Sequence, residues 1–135
     1  MQQTYFMIKP EIVAADQQKV GAILAAVNAS GFRIRGMALR QLDQPLVEDF
    51  YGEHREKPFF GDLVDYITSG PVVCVHLERE DAVARLRELI GATNPAEAAT
   101  GTIRFLYGAS LSTNAVHASA NADDAARELA LIFGS

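Results

Sequence analysis

Strand-type and helix-type apolar patterns alternate along the whole chain with no linker between them, and that order restricts the fold to a few α/β arrangements. Thr4 to Ile8 is short, aromatic and β-branched, and it stops at Lys9-Pro10 as a strand does on meeting a proline. Ala15 to Ala29 carries Val20, Ile23, Leu24 and Val27 at the i, i+3, i+4, i+7 spacing of an amphipathic helix, closed by Ser30-Gly31. Phe32 to Leu42 alternates Phe32, Ile34, Gly36, Ala38 against Arg33, Arg35, Met37, Leu39, which predicts a strand with one partly polar face. Pro45 to His54 and Phe59 to Thr68 read as two helices broken at Lys57-Pro58. After the turn Ser69-Gly70-Pro71, Val72 to Leu77 reads as a strand buried on both faces. Ala82 to Ile90 is helical and ends at Gly91, and Ala92 to Gly101 is a loop of functional length. A short turn, a last strand near Asn114 to Val116, and a helix from Ala122 to Phe133 complete the chain. That helix turns Ala125, Leu129 and Ile132 inward and sets Asp123 and Asp124 near its positive end. The reading is α/β, one domain over residues 1–135, without repeats or low-complexity segments.

Bulk composition excludes several classes. At 135 residues, 49% apolar and 21% charged, the chain can enclose one substantial core. A net charge of −5 and a pI near 5.1 disfavour wholesale nucleic-acid binding, though a local cation cluster can still hold a small anion. No apolar run approaches the ~20 residues that span a bilayer, and Met1-Gln2-Gln3-Thr4 lacks the basic start of a signal peptide. Cys74 is the one cysteine, so no internal disulfide can form, and its apolar neighbours predict burial. A cytoplasmic protein without membrane partners is expected.

Common chemical motifs are absent. There is no GxxxxGK[ST] or GxGxxG loop, no Cys/His cluster at zinc spacing and no GxSxG elbow. Three polar residues remain in apolar or small-residue company. Lys9 ends an apolar strand, Arg104 follows Gly101-Thr102-Ile103, and His117 stands between Asn114-Ala115-Val116 and Ala118-Ser119-Ala120-Asn121. Singly, each is explained by solvation or structure.

Seven segments in order change that reading: TYFMIKP, GFRIRG, FYGEHREKPFFGDLVDYITSGPVV, GATNPAEA, GTIR, NAVHAS and ARELALIF. Through them the chain resembles the nucleoside diphosphate kinase family over essentially its full length. The resemblance implies a ferredoxin-like βαββαβ fold, a four-stranded antiparallel sheet with helices packed on one face. It implies ping-pong transfer of the terminal phosphate of a nucleoside triphosphate, typically ATP, to a nucleoside diphosphate through a phosphohistidine at the position of His117. Imidazole suits that role, being largely neutral and nucleophilic at neutral pH.

By the same resemblance Glu128 orients the imidazole and Ser119 supplies a hydroxyl beside it. Lys9, Tyr51, Arg87, Thr93, Arg104 and Asn114 match the phosphate-binding positions, Lys9 and Tyr51 also counting as catalytic. Phe59 matches the residue on which the base stacks, with Leu63 one turn further on the same face. Of Phe59 and Phe60, one is expected in the core and one exposed. Mg2+ is the implied cofactor, held by nucleotide phosphates and water rather than by protein ligands.

The chain departs from the family at several points. Members normally read Gly-Ser-Asp-Ser where this chain has Ala118-Ser119-Ala120-Asn121, which is costly only if Ala118 needs φ > 0. Lys9-Pro10-Glu11-Ile12 stands for Lys-Pro-Asp-Gly, Glu53 for Asp, and Thr100 for a common proline. The stop at Gly134-Ser135 leans toward a dimer or tetramer rather than a hexamer. Two other readings compete: a binding module that has lost turnover, motivated by the altered turn, and a nucleic-acid-binding domain using Tyr5 and Phe6 as stacking aromatics.

Overall fold

The computed structural model describes residues 1–15 and 17–134. Asp16, inside the expected Ala15–Ala29 helix, and Ser135, in the expected chain end, lie outside the described residues. Strand β1 (Gln2–Ile8) is followed by helices α1 (Pro10–Ala15) and α2 (Gln17–Ala29), then β2 (Arg33–Arg40). Next come α3 (Gln44–Phe50), a 3-10 turn at Gly52–His54, and α4 (Phe60–Ile67). The chain continues through β3 (Val72–Arg79), α5 (Ala82–Ile90), a 3-10 turn at Pro95–Glu97, α6 (Ile103–Tyr107), β4 (Val116–Ala118) and α7 (Ala122–Phe133).

The four strands form one antiparallel sheet in the order β2-β3-β1-β4. The register sets Met7 opposite both Cys74 of β3 and His117 of β4. β1 and β3 are apolar on alternate residues of both faces, so each face needs a cover. Phe6, Ile8, Val73 and Val75 pack with Ile23 and Val27 of α2 and Leu86 and Ile90 of α5. Tyr5, Met7, Val72 and Cys74 pack with Phe50 of α3, Ile67 of α4 and Leu129 and Ile132 of α7. The ferredoxin-like layer of helices is therefore joined by a second layer on the opposite face, which the expectation of helices on one face left out. Cys74 is fully buried, as expected. Tyr5 and Phe6 are fully enclosed as well, which removes them as a base-stacking platform.

Three local differences from the sequence reading have physical causes. Pro10 ends β1 but also opens α1, because proline lacks only an N–H that the first helical turn leaves unpaired anyway. Residues after Thr102 form α6 rather than a turn, the Thr102 side chain accepting from the Phe105 N–H as an N-cap. The last strand begins two residues later than expected. Ala115 is held at φ 75°, the Val116 N–H reaches back to the Asn114 carbonyl at 2.9 Å, and the Ala115 carbonyl accepts from the Lys9 N–H at 2.9 Å. That tight reversal occupies the residues before β4 can start.

Candidate functional site

The C-terminal end of β1, the start of β4 and the facing ends of α3, α5, α6 and α7 converge on one cleft. Its inner part, about 230 Å3, is lined by Lys9, Tyr51, Arg87, Arg104, His117 and Glu128, among others. Its outer part, about 680 Å3, is walled by Phe59, Tyr66 and Leu111. Lys9, Leu63, Thr93 and Asn114 line both parts. Every residue singled out from the sequence thus lies on this cleft except Ser119, which is fully buried behind His117.

His117 is the middle residue of β4. Its Nε2 lies 2.9 Å from Oε1 of Glu128, and the Ser119 hydroxyl donates to that same oxygen at 2.8 Å. Glu128 is itself buried on the inner face of α7, with Arg127 Nη2 3.8 Å from its Oε2. A carboxylate can only accept, so Nε2 carries the proton in this contact. Nδ1 has no protein partner among the described residues, leaving its lone pair available. Phe50, Tyr5 and Tyr51 pack around the ring at centroid distances of 5.1, 5.9 and 6.2 Å, which limits its rotation.

The cations are held by oxygen atoms of the scaffold. Lys9 Nζ donates to Asn114 Oδ1 at 2.7 Å, and Asn114 Nδ2 donates to the Thr93 carbonyl at 3.1 Å. Arg104 donates to the carbonyls of Val116 and Gly91 at 2.9 and 3.3 Å, and Arg87 to that of Ala118 at 3.4 Å. Burial, then the nearby Arg104 charge, pull Lys9 from 10.5 down to about 8, with Glu11 opposing. Burial, then Arg87, bring Arg104 down to about 10. Like charges crowded in a partly dry cleft disfavour one another, and a polyanion between them relieves that cost. Among the described residues the Tyr51 hydroxyl and Arg104 Nε are buried donors without a hydrogen-bond partner. Burial raises the Tyr51 hydroxyl, so it stays protonated and able to donate.

Several lining residues escaped the sequence reading. Tyr66 donates to Glu11 Oε1 at 2.5 Å, while Glu11 Oε2 accepts from the Ala115 N–H at 3.1 Å, bracing the reversal ahead of His117. Tyr66 lies seven residues after Phe59, on the helix face that carries Leu63, so helical spacing could have found it. Leu111 sits in a loop without periodicity and carried no such signal. Phe59 is 47% exposed whereas Phe60 is half-buried and packs against the core without entering it, a partial version of the division expected for the pair. The altered turn is unstrained. Among described non-glycine residues only Asp81 and Ala115 have positive φ, so Ala118 occupies backbone open to any residue. Asn121 caps α7, accepting from the Asp124 N–H at 2.8 Å.

One imidazole with a free nitrogen, cations around it and an apolar mouth beyond define a phosphotransferase that handles nucleotides. The chain belongs to the nucleoside diphosphate kinase family, whose model, described as nucleoside diphosphate kinase, matches residues 2–135. It is 50% identical over 133 residues to the nucleoside diphosphate kinase of Chlamydia pneumoniae, covering 98% of this chain and 91% of that one. It is equally similar to that of Desulfovibrio desulfuricans, covering 98% and 94%. Among solved structures it superposes on the Aquifex aeolicus enzyme with a TM-score of 0.94 at 37% identity, covering 98% and 94%. The Halobacterium salinarum enzyme, solved in complex with CDP, gives 0.93 at 38% identity, covering 99% and 88%. The activity is nucleoside diphosphate kinase activity, phosphoryl transfer between nucleotides by the ping-pong route general to the family. No helix among the described residues is long and apolar enough to cross a membrane.

Proposed function

We propose that His117 carries the phosphoryl group in this exchange. Its Nδ1 lone pair attacks the terminal phosphorus of a nucleoside triphosphate, typically ATP. The bond to the bridging oxygen breaks, and the diphosphate departs with that electron pair. The imidazole, still protonated at Nε2, holds the phosphoryl group while Glu128 balances its positive charge and Ser119 fixes Glu128. A second nucleoside diphosphate then takes the group by the same steps reversed. The observation supporting this most directly is the contact of Nε2 with Glu128, which leaves Nδ1 without a protein partner in a ring that lines the cation-bearing inner cleft.

Lys9, Arg87 and Arg104 neutralise the phosphate oxygens, with Tyr51, Thr93 and Asn114 adding hydrogen bonds. Such fixed charges and donors are what phosphoryl transfer chiefly requires. The base lies in the outer cleft on Phe59, with Leu63 and Leu111 completing an apolar slot. Mg2+ accompanies the nucleotide, held by phosphate oxygens and water. Glu53 and Asp124, the remaining carboxylates on the inner cleft besides Glu128, are oxygen donors of the kind that suits a hydrated magnesium ion. The ion neutralises phosphate charge.

The whole chain acts as one domain in the cytoplasm, where a lone reduced thiol such as Cys74 is at home. It associates as a homo-oligomer, a dimer or tetramer rather than a hexamer. Support comes from β2, which forms the sheet edge and exposes Ile34, Met37 and Leu39. Sedimentation at micromolar concentration tests that point. A coupled assay of ATP-to-diphosphate transfer, run on wild type and on His117→Ala, tests the reaction. Loss of transfer with retained nucleotide binding supports it, and undiminished transfer by the variant refutes it.

A further inference from the structure

Among the described residues the outer cleft has one carboxylate on its wall, Asp62. Asp62, in the first turn of α4, lines this cavity together with Phe59, Leu63 and Tyr66 from the same helix face and Leu111 from the opposite side. Among the described residues its side chain makes no hydrogen bond and no ion pair, although Lys9 is the only cation on the same wall. Lys9 is engaged by Asn114 at the deep end. The cleft is therefore polarised along its length, positive where phosphates bind and negative at the apolar mouth.

We infer that Asp62 reads the base, favouring nucleotides whose exposed edge presents adjacent N–H donors, and guanine above the others. This rests on the placement of the base against Phe59 proposed above. A stack on an apolar ring is indifferent to base identity, because every base has a π-face. A carboxylate at the rim is not indifferent. Guanine offers N1–H and the N2 amino group side by side, a fork that matches two carboxylate oxygens. Hypoxanthine keeps the N1–H and loses the amino group. Uracil presents one N–H flanked by two carbonyl oxygens, which a carboxylate repels. Asp62 thus acts as a specificity residue, without a part in the transfer step itself.

Calorimetric binding of guanosine, inosine and uridine diphosphates to the unphosphorylated chain tests this without requiring turnover. Guanosine and inosine diphosphates have the same ring system and charge, so their ratio isolates the amino group. Because Asp62 is exposed, the wild type is expected to prefer guanosine over inosine diphosphate by about fivefold and over uridine diphosphate by about tenfold, the low end for a specific base contact. In Asp62→Ala the guanosine-to-inosine ratio falls to about one, and in Asp62→Asn, which keeps one acceptor oxygen, it falls part of the way. A guanosine-to-inosine ratio near one in wild type, or one unchanged by Asp62→Ala, overturns the inference. Neither result bears on phosphoryl transfer, whose failure is read separately from the His117→Ala assay.

Discussion

Oε1 of Glu128 lies 2.9 Å from Nε2 of His117, and this contact selects which ring nitrogen is free to react. In the proposed reaction it would also supply the counter-charge when the ring becomes a phosphoimidazolium. Glu128→Gln keeps an acceptor oxygen and removes the charge. A hydrogen bond to a charged group is worth about 1.5–3 kcal/mol, so phosphoenzyme formation should slow roughly ten- to hundredfold. Rapid-quench labelling with the variant at saturating ATP measures it. An unchanged rate would separate Glu128 from the reaction.

Ser119 is fully buried and donates to the same oxygen at 2.8 Å. Ser119→Ala removes a hydrogen bond to the charged carboxylate, worth about 1.5–3 kcal/mol. The expected result is a fall in turnover of roughly ten- to hundredfold, with nucleotide KM little altered. Steady-state kinetics on the purified variant separates the two constants.

Lys9 titrates near pH 8 in the nucleotide-free chain, lowered from 10.5 first by burial and then by Arg104. Between about pH 8 and 10.5 the unfolded chain holds a proton that the folded chain has released. The unfolded state binds more protons there, so this group's unfavourable contribution, on the order of 3 kcal/mol at low pH, is relieved as pH rises through that window. Bound polyphosphate reverses the preference and favours the ammonium. ADP binding should therefore weaken above about pH 8 and take up a proton at pH 8.5. Titration calorimetry in two buffers of different ionisation enthalpy reads the uptake, which should vanish in Lys9→Met.

The two alanines flanking Val116 and His117 should respond oppositely to glycine. Ala115 sits at φ 75°, strained for a side chain, whereas Ala118 lies in ordinary strand backbone. Ala115→Gly should stabilise by roughly 1 kcal/mol and Ala118→Gly should destabilise by about 0.5–1 kcal/mol. Thermal melts of both variants check the pair. Equal shifts in one direction would contradict the backbone argument.

How far the sequence revealed this arrangement depended on what carried each signal. Helix α7 has the bounds its helical spacing predicts, and β3 starts where its apolar run predicts but continues two residues further, to Arg79, through polar residues that the apolar pattern does not mark. Residues of the cleft come through the resemblance, since Lys9, Arg87, Arg104 and His117 lie in four separate stretches of the chain and form no linear pattern. Helix α6 and the delayed start of β4 were missed. Both depend on backbone commitments at Thr102, Asn114 and Ala115 that only the folded chain makes. Tyr66, Glu11 and Leu111 were missed for a related reason. Tyr66 and Leu111 wall the cleft, Glu11 braces the Ala115 reversal, and all three take part through contacts across the fold rather than through local sequence.

The central claim is that His117 becomes covalently phosphorylated. Brief incubation of the chain with radiolabelled ATP and magnesium, followed by denaturing separation, tests it directly. The account predicts a protein-bound label that is acid-labile and base-stable, is discharged by added nucleoside diphosphate, and is absent from His117→Ala. A label that persists in His117→Ala, or a wild-type chain that binds ATP and takes none, would contradict it.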